Sequence, residues 1–101
     1  MNHTKQQIRE IAIKVLNDIE NTFNVDKIEN VFYIENEEIY EGVNKGKIMP
    51  CWGVSIIAIC DNADYLTILD ETGEPLYYQN FNTIIYGIDK DANGKYFIKD
   101  V

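Results

Sequence analysis

Cys51-Trp52-Gly53-Val54-Ser55-Ile56-Ile57-Ala58-Ile59-Cys60 is the most apolar run in the chain, and its reading decides the fold. Read as a strand, it puts Trp52, Val54, Ile56, Ala58 and Cys60 on one face and Cys51, Gly53, Ser55, Ile57 and Ile59 on the other. Both faces turn apolar towards its end, which predicts a central strand covered on one side. The cover lies upstream. Residues 4–22 place Ile8, Ile11, Ala12, Val15, Leu16, Ile19 and Phe23 on one helical stripe, with Ile13 off it. Thr4, with Gln7 three residues on, predicts a capping box at the helix start.

Downstream of 51–60 the pattern is strand and turn. Asp61-Asn62-Ala63-Asp64 reads as a tight turn, Tyr65–Asp70 as the return strand, and Glu71-Thr72-Gly73-Glu74 as a second turn. Leu76–Gln79, Thr83–Ile88 and Tyr96–Lys99 follow as strands, the last two separated by Asn93-Gly94, a strong hairpin signal. Between the helix and residue 51, Ile28–Ile34 reads as a β-prone strand and Glu35–Glu38 as a turn. Ile39–Val43 then reads as a short strand and Asn44–Lys47 as a loop. The expectation is one α+β domain over residues 1–101. One N-terminal helix packs on a curved antiparallel meander sheet of about five to seven strands. In that order the 61–64 and 70–74 turns fall at opposite ends of the sheet.

Charge narrows the partners. The net charge is −8, from 17 acidic and 9 basic residues, and no Lys or Arg occurs from Ile48 to Asp89. Asp18–Glu41 holds eight carboxylates and one base, Lys27. Such a surface repels phosphate backbones and anionic lipid, so neither nucleic acid nor membrane is expected as a partner. A basic protein is, and a homodimer is compatible with the same surface. The polar, amphipathic N-terminal segment predicts no signal peptide and no membrane span. Cys51 and Cys60 lie too far apart on one strand to bridge, so both are expected as reduced core thiols in a cytoplasmic protein. The abundance of Asn, Ile, Lys and Glu fits a low-GC bacterial source.

Motifs for chemistry are sparse. Asp89-x-Asp91-x-Asn93-Gly94 matches the opening of a calcium loop, but its twelfth position is Asp100 rather than Glu, and a polar hairpin turn is the plainer reading. Gly42–Lys47 lacks the spacing of a phosphate-binding loop. His3, the sole histidine, is placed in a frayed tail, leaving Ser55, Cys51 and Cys60 without a base. Neither a metal nor a cofactor is expected, and the chain is read as a non-enzyme. The candidate partner-binding residues are Tyr33, Glu35, Glu37, Glu38, Tyr40 and Glu41, aromatics interleaved with carboxylates. Tyr77 and Tyr78 alternate to opposite faces, so at least one is a candidate to leave the core. The alternatives are a small-ligand-binding or enzymatic domain with a pocket between helix and sheet, using Asp64, Tyr78 or Ser55, and a regulatory or oligomerisation module pairing through a strand edge.

Trp52-Gly53-Val54, followed by Leu66-Thr67-Ile68-Leu69-Asp70-Glu71-Thr72-Gly73-Glu74, resembles two groups of small bacterial domains. In both, a strand bearing W-x-V precedes a hairpin ending in hydrophobic-Asp-x-Thr-Gly. One group is the PepSY domains; the other is the immunity proteins of the NTF2-like (cystatin-like) fold. The second resemblance implies a cytoplasmic inhibitor that covers or plugs a bacterial toxin, with no catalytic residues to carry over.

Overall fold

The structure, a computed structural model, describes residues 1–99. Helix α1 spans Lys5–Glu20. It starts at the predicted box: Thr4 accepts from the Gln7 amide at 3.1 Å, and the Gln7 side chain accepts from the Thr4 amide at 2.8 Å. It ends at Asn21, whose φ of 45° breaks the helical path. Six strands follow: β1 Ile28–Glu38, β2 Ile48–Ile57, β3 Ala63–Leu69, β4 Pro75–Gln79, β5 Ile85–Lys90 and β6 Tyr96–Ile98. Each pairs antiparallel with the next, in the spatial order β1-β2-β3-β4-β5-β6. The fold is therefore the expected α+β meander with one helix. α1 touches β1 and β2 at one side of the sheet and β6 at the other, so the sheet curls around it.

The helix side holds the main core. Ile8, Ala12, Val15 and Leu16 of α1 meet Val31, Trp52, Val54, Ile56, Leu66, Ile68 and Ile88. Val54 and Leu66 are cross-strand partners, as are Trp52 and Ile68, so the rows align across the sheet. A smaller cluster of Ile39, Cys51, Leu69 and Tyr77 occupies the opposite face.

Five local expectations are corrected. Glu35–Glu38 is not a turn, and Ile39–Val43 is not a strand. β1 continues to Glu38 and pairs Glu37 with Met49 and Glu38 with Ile48, after a register shift following Ile34. Charge is tolerated there because the outer side of β1 is open to water. Pro50 contributes no N–H to the ladder, and it lies opposite that shift. The strand read as 51–60 begins three residues earlier and ends at Ile57; Ile59–Asp61 form a single 3-10 turn. Cys60 sits there at φ 57°, exposed, while Cys51 is buried as expected. His3 is not frayed. Its Nδ1 lies 2.7 Å from the Asp70 carbonyl oxygen, so this nitrogen carries the hydrogen.

Asp70, 2% exposed, is the polar pin of the fold. Trp52 Nε1 donates to its Oδ1 at 2.8 Å, and the Asn2 amide donates to Oδ2 at 2.8 Å. The Trp and Asp of the W-x-V and D-x-T-G elements are thus bonded to each other, and through Asn2 to the segment that starts α1.

Candidate functional site

β1 delivers the candidate residues, and the pleat divides them. Tyr33 pairs with Trp52 and turns to the helix side, where the two rings meet edge-on at 5.2 Å. Burial, followed by the charges of Asp70 and Glu35, pushes the Tyr33 hydroxyl pKa up. Glu35 and Glu38 are exposed on the edge strand. Glu37 turns to the other face of the sheet, where the Tyr77 hydroxyl donates to its Oε2 at 2.6 Å. Burial and then the Glu37 carboxylate raise the Tyr77 pKa, so the phenol stays the donor.

This bond seats the loop that follows. Ile39, 1% exposed, packs against Cys51, Leu69 and Tyr77. Its amide donates to the Lys47 carbonyl at 2.9 Å, and its carbonyl accepts from the Gly46 amide at 2.8 Å. Gly42 and Gly46 supply the positive φ that closes the turn, 96° and 89°. Tyr40 is left 53% exposed, its ring edge-on to buried Tyr77 at 6.3 Å. Glu41 lies over Gly87, where a Cβ would come within 3.1 Å of its Cγ. Glu41, Glu74, Asp89 and Lys99 then line a groove of about 200 Å³ beside Pro75 and Ile88.

Glu37, Tyr40 and Glu41 are therefore gathered at one end of the face opposite the helix, Glu35 and Glu38 lie on the adjoining edge, and Tyr33 faces the other side. Sequence reasoning missed Tyr77 as the support for Tyr40, and Glu74 and Asp89 as neighbours of Glu41. Tyr77–Tyr78 alternation was the available signal for the first; meander pairing alone brings in the others. Among the described residues the ion pairs are Lys14–Asp18 and the 3.8 Å His3–Asp70 contact, so Glu35, Glu37, Glu38 and Glu41 have no basic partner there.

Other candidates are engaged in local hydrogen bonds. Asp64 accepts from the Tyr78 hydroxyl at 2.6 Å and from the Phe81 amide at 2.9 Å. Burial, then Asp64, raises the Tyr78 pKa. Asp64 and Tyr78 sit on the helix side while Ser55 faces away, so the three do not converge. The space between helix and sheet is filled by core side chains. The larger depressions are open grooves at the borders of α1, such as one of about 400 Å³ lined by His3, Ile11 and Tyr96. Asp91 Oδ1 accepts from the Asn93 and Lys95 amides, which makes Asp89–Lys95 a hairpin turn; Asp100 lies outside the described residues. No described helix is long and apolar enough to cross a membrane. No family model matches the chain, and no curated protein or solved structure shows significant similarity to it.

Proposed function

We propose that the chain is a non-enzymatic protein-binding domain, an immunity protein that neutralises a cognate basic toxin in the bacterial cytoplasm. The observation that carries the reading is Tyr40. It is an exposed aromatic on a loop fixed from beneath by Ile39, Tyr77 and Glu37, beside carboxylates with no basic partner among the described residues. Aromatic anchors ringed by charge are where binding energy concentrates at protein interfaces. Carboxylates left unpaired meet Arg and Lys by charge-assisted bonds and speed encounter with a basic surface. The resemblance at Trp52-Gly53-Val54 and Leu69–Gly73 supplies the toxin as the kind of partner.

The test is calorimetric titration against the purified product of the adjoining gene. Tyr40→Ala is expected to weaken binding at least about tenfold. Glu41→Lys is expected to slow association and reduce its salt dependence. An affinity unchanged by both substitutions, or the absence of binding, overturns the reading.

A further inference from the structure

β1 is one edge of the sheet, and at 11 residues it is far longer than β6, the other edge, with 3. An unpaired edge of that length presents backbone donors and acceptors to another strand. One contact fixes which residues present them. The Val31 amide donates to the side-chain Oδ1 of Asn30 at 3.0 Å, so it points away from β2. Through the alternation of an antiparallel ladder, Val31 and Tyr33 both turn their N–H and C=O to the open side. Glu35, which has no partner in β2, continues the series.

Charge is divided along this edge. Its end holds Glu35, Glu37 and Glu38. Beside its start, the first turns of α1 bring Lys5 and Arg9, which line a groove of about 410 Å³ together with Ile28, Glu29 and Val31. Neither Lys5 nor Arg9 has a carboxylate within ion-pair distance among the described residues. Tyr33 faces the helix side, and Glu35, whose charge reaches its hydroxyl, stands with it; beyond the register shift Glu37 faces the opposite side, so alternation returns Glu38 to the side of α1.

The geometry points to a second copy of this chain as the occupant, its β1 pairing antiparallel with this one about a two-fold axis near Tyr33. With carboxylates at one end of the edge, and Lys5 and Arg9 of α1 outnumbering Glu29 beside the other, the edge matches itself only when reversed, and a two-fold axis reverses it. Centred on Tyr33, the pairing sets Glu35 opposite Val31 and Glu38 opposite Ile28 of the second copy. That is where the second copy's Lys5 and Arg9 border its edge, on the same face of the joined sheet. The Asn30–Val31 contact is exchanged for an inter-strand bond. The charge of −8 opposes approach, but screening over about 8 Å at physiological salt leaves the local contacts to decide. The inference does not rest on the docking reading above.

Sedimentation velocity at micromolar concentration tests it. The wild-type chain is expected to be a dimer. Lys5→Glu/Arg9→Glu and Glu35→Lys/Glu38→Lys each set like charge against like, and each is expected to raise the dimer dissociation constant at least about 100-fold. Mixed in equal amounts, the two variants attract at both contacts, and the dimer returns. A monomeric wild type, variants that dimerise alone like the wild type, or a mixture of folded variants that stays monomeric overturns the inference. Hydrogen exchange of the wild type adds a reading independent of any variant. Protection of the Val31 and Tyr33 amides rises with concentration, and its failure to do so has the same force.

Discussion

Asp70→Ala removes the acceptor of the molecule's one indole N–H and of the Asn2 amide together. A hydrogen bond to a charged partner contributes about 1.5–3 kcal/mol net, and more is at stake when the orphaned donor is buried. Trp52 is 3% exposed, so its bond belongs at the upper end of that range; the half-buried Asn2 bond belongs at the lower. Together they predict a loss of about 3–5 kcal/mol, from a total of about 5–15 for a domain of this size. At about 4–8 °C per kcal/mol, Tm falls by at least about 12 °C. Urea unfolding followed by Trp52 fluorescence and by far-ultraviolet dichroism measures the loss. A cycle with Trp52→Phe isolates the pairwise part, expected at about 1.5–3 kcal/mol. A loss under about 1 kcal/mol, or a coupling near zero, refutes the reasoning.

The pH dependence is a second check on the same group. Burial on its own raises the Asp70 pKa. The hydrogen bonds from Trp52, Asn2 and His3 outweigh it and hold the carboxyl below its ordinary value. A folded pKa below the unfolded one, about 3.9, means that the stabilisation is complete above that value and fades as pH falls through the folded pKa. The gap between wild type and Asp70→Ala should therefore stay constant at neutral pH and narrow in acid. A gap that widens in acid contradicts the assignment.

Other perturbations read other parts of the fold. Burial, then the charges of Glu37 and Asp70, pushes the Cys51 thiol up to about 12, while Cys60 is exposed. One thiol per chain should react with a disulfide reagent in the native state and both in denaturant; two fast native thiols would contradict the packing of Cys51. Gly53→Ala places a Cβ 2.5 Å from Cζ of Phe32. It should cost about 1–3 kcal/mol, recovered in part by Phe32→Leu, as read by urea midpoints. Thr4→Ala removes one half of the capping box and should cost about 1 kcal/mol by thermal melting. Tyr78→Phe deletes the bond to Asp64 and should cost about 1–2 kcal/mol, with little further loss once Asp64→Ala is present.

The helix, its cap and the strand-turn succession after Trp52 were legible because each is written in local chemistry. Thr4 and Gln7 bond across three residues, and the Ile8–Ile19 stripe repeats at the helical period. The region 35–43 was misread for the opposite reason. Four glutamates between Glu35 and Glu41 resemble a solvated turn, and only pairing with Ile48 and Met49, many residues on, makes the first of them strand. Cys60 looked like core because the apolar run carries on past Ile57. The chain leaves the sheet there, at a positive φ that a cysteine does not advertise. His3 looked free because its partner is the backbone of Asp70, a contact that exists only after the meander has folded. For the site, residue types and neighbourhood were visible; which glutamate faces which way was not, because the register shift after Ile34 resets the alternation.

The two faces of the sheet are closed by different means, and the difference bears on the proposed docking of a partner. On the helix side α1 supplies the cover and Trp52–Asp70 ties it to the sheet. On the other side no helix packs among the described residues, and Ile39 with the Tyr77–Glu37 bond holds the 39–47 loop down over Cys51 and Leu69. Tyr40 is thus presented by a loop whose ordering was completed in folding. A partner that docks on it is spared most of the loop-ordering cost that weakens binding to flexible segments. Tyr77→Phe separates this effect from direct contact, since Tyr77 is 2% exposed and sits beneath the surface. If presentation matters, the substitution weakens the partner's hold by speeding dissociation, with association nearly unchanged. If it alters neither rate, the Glu37 bond serves the fold alone.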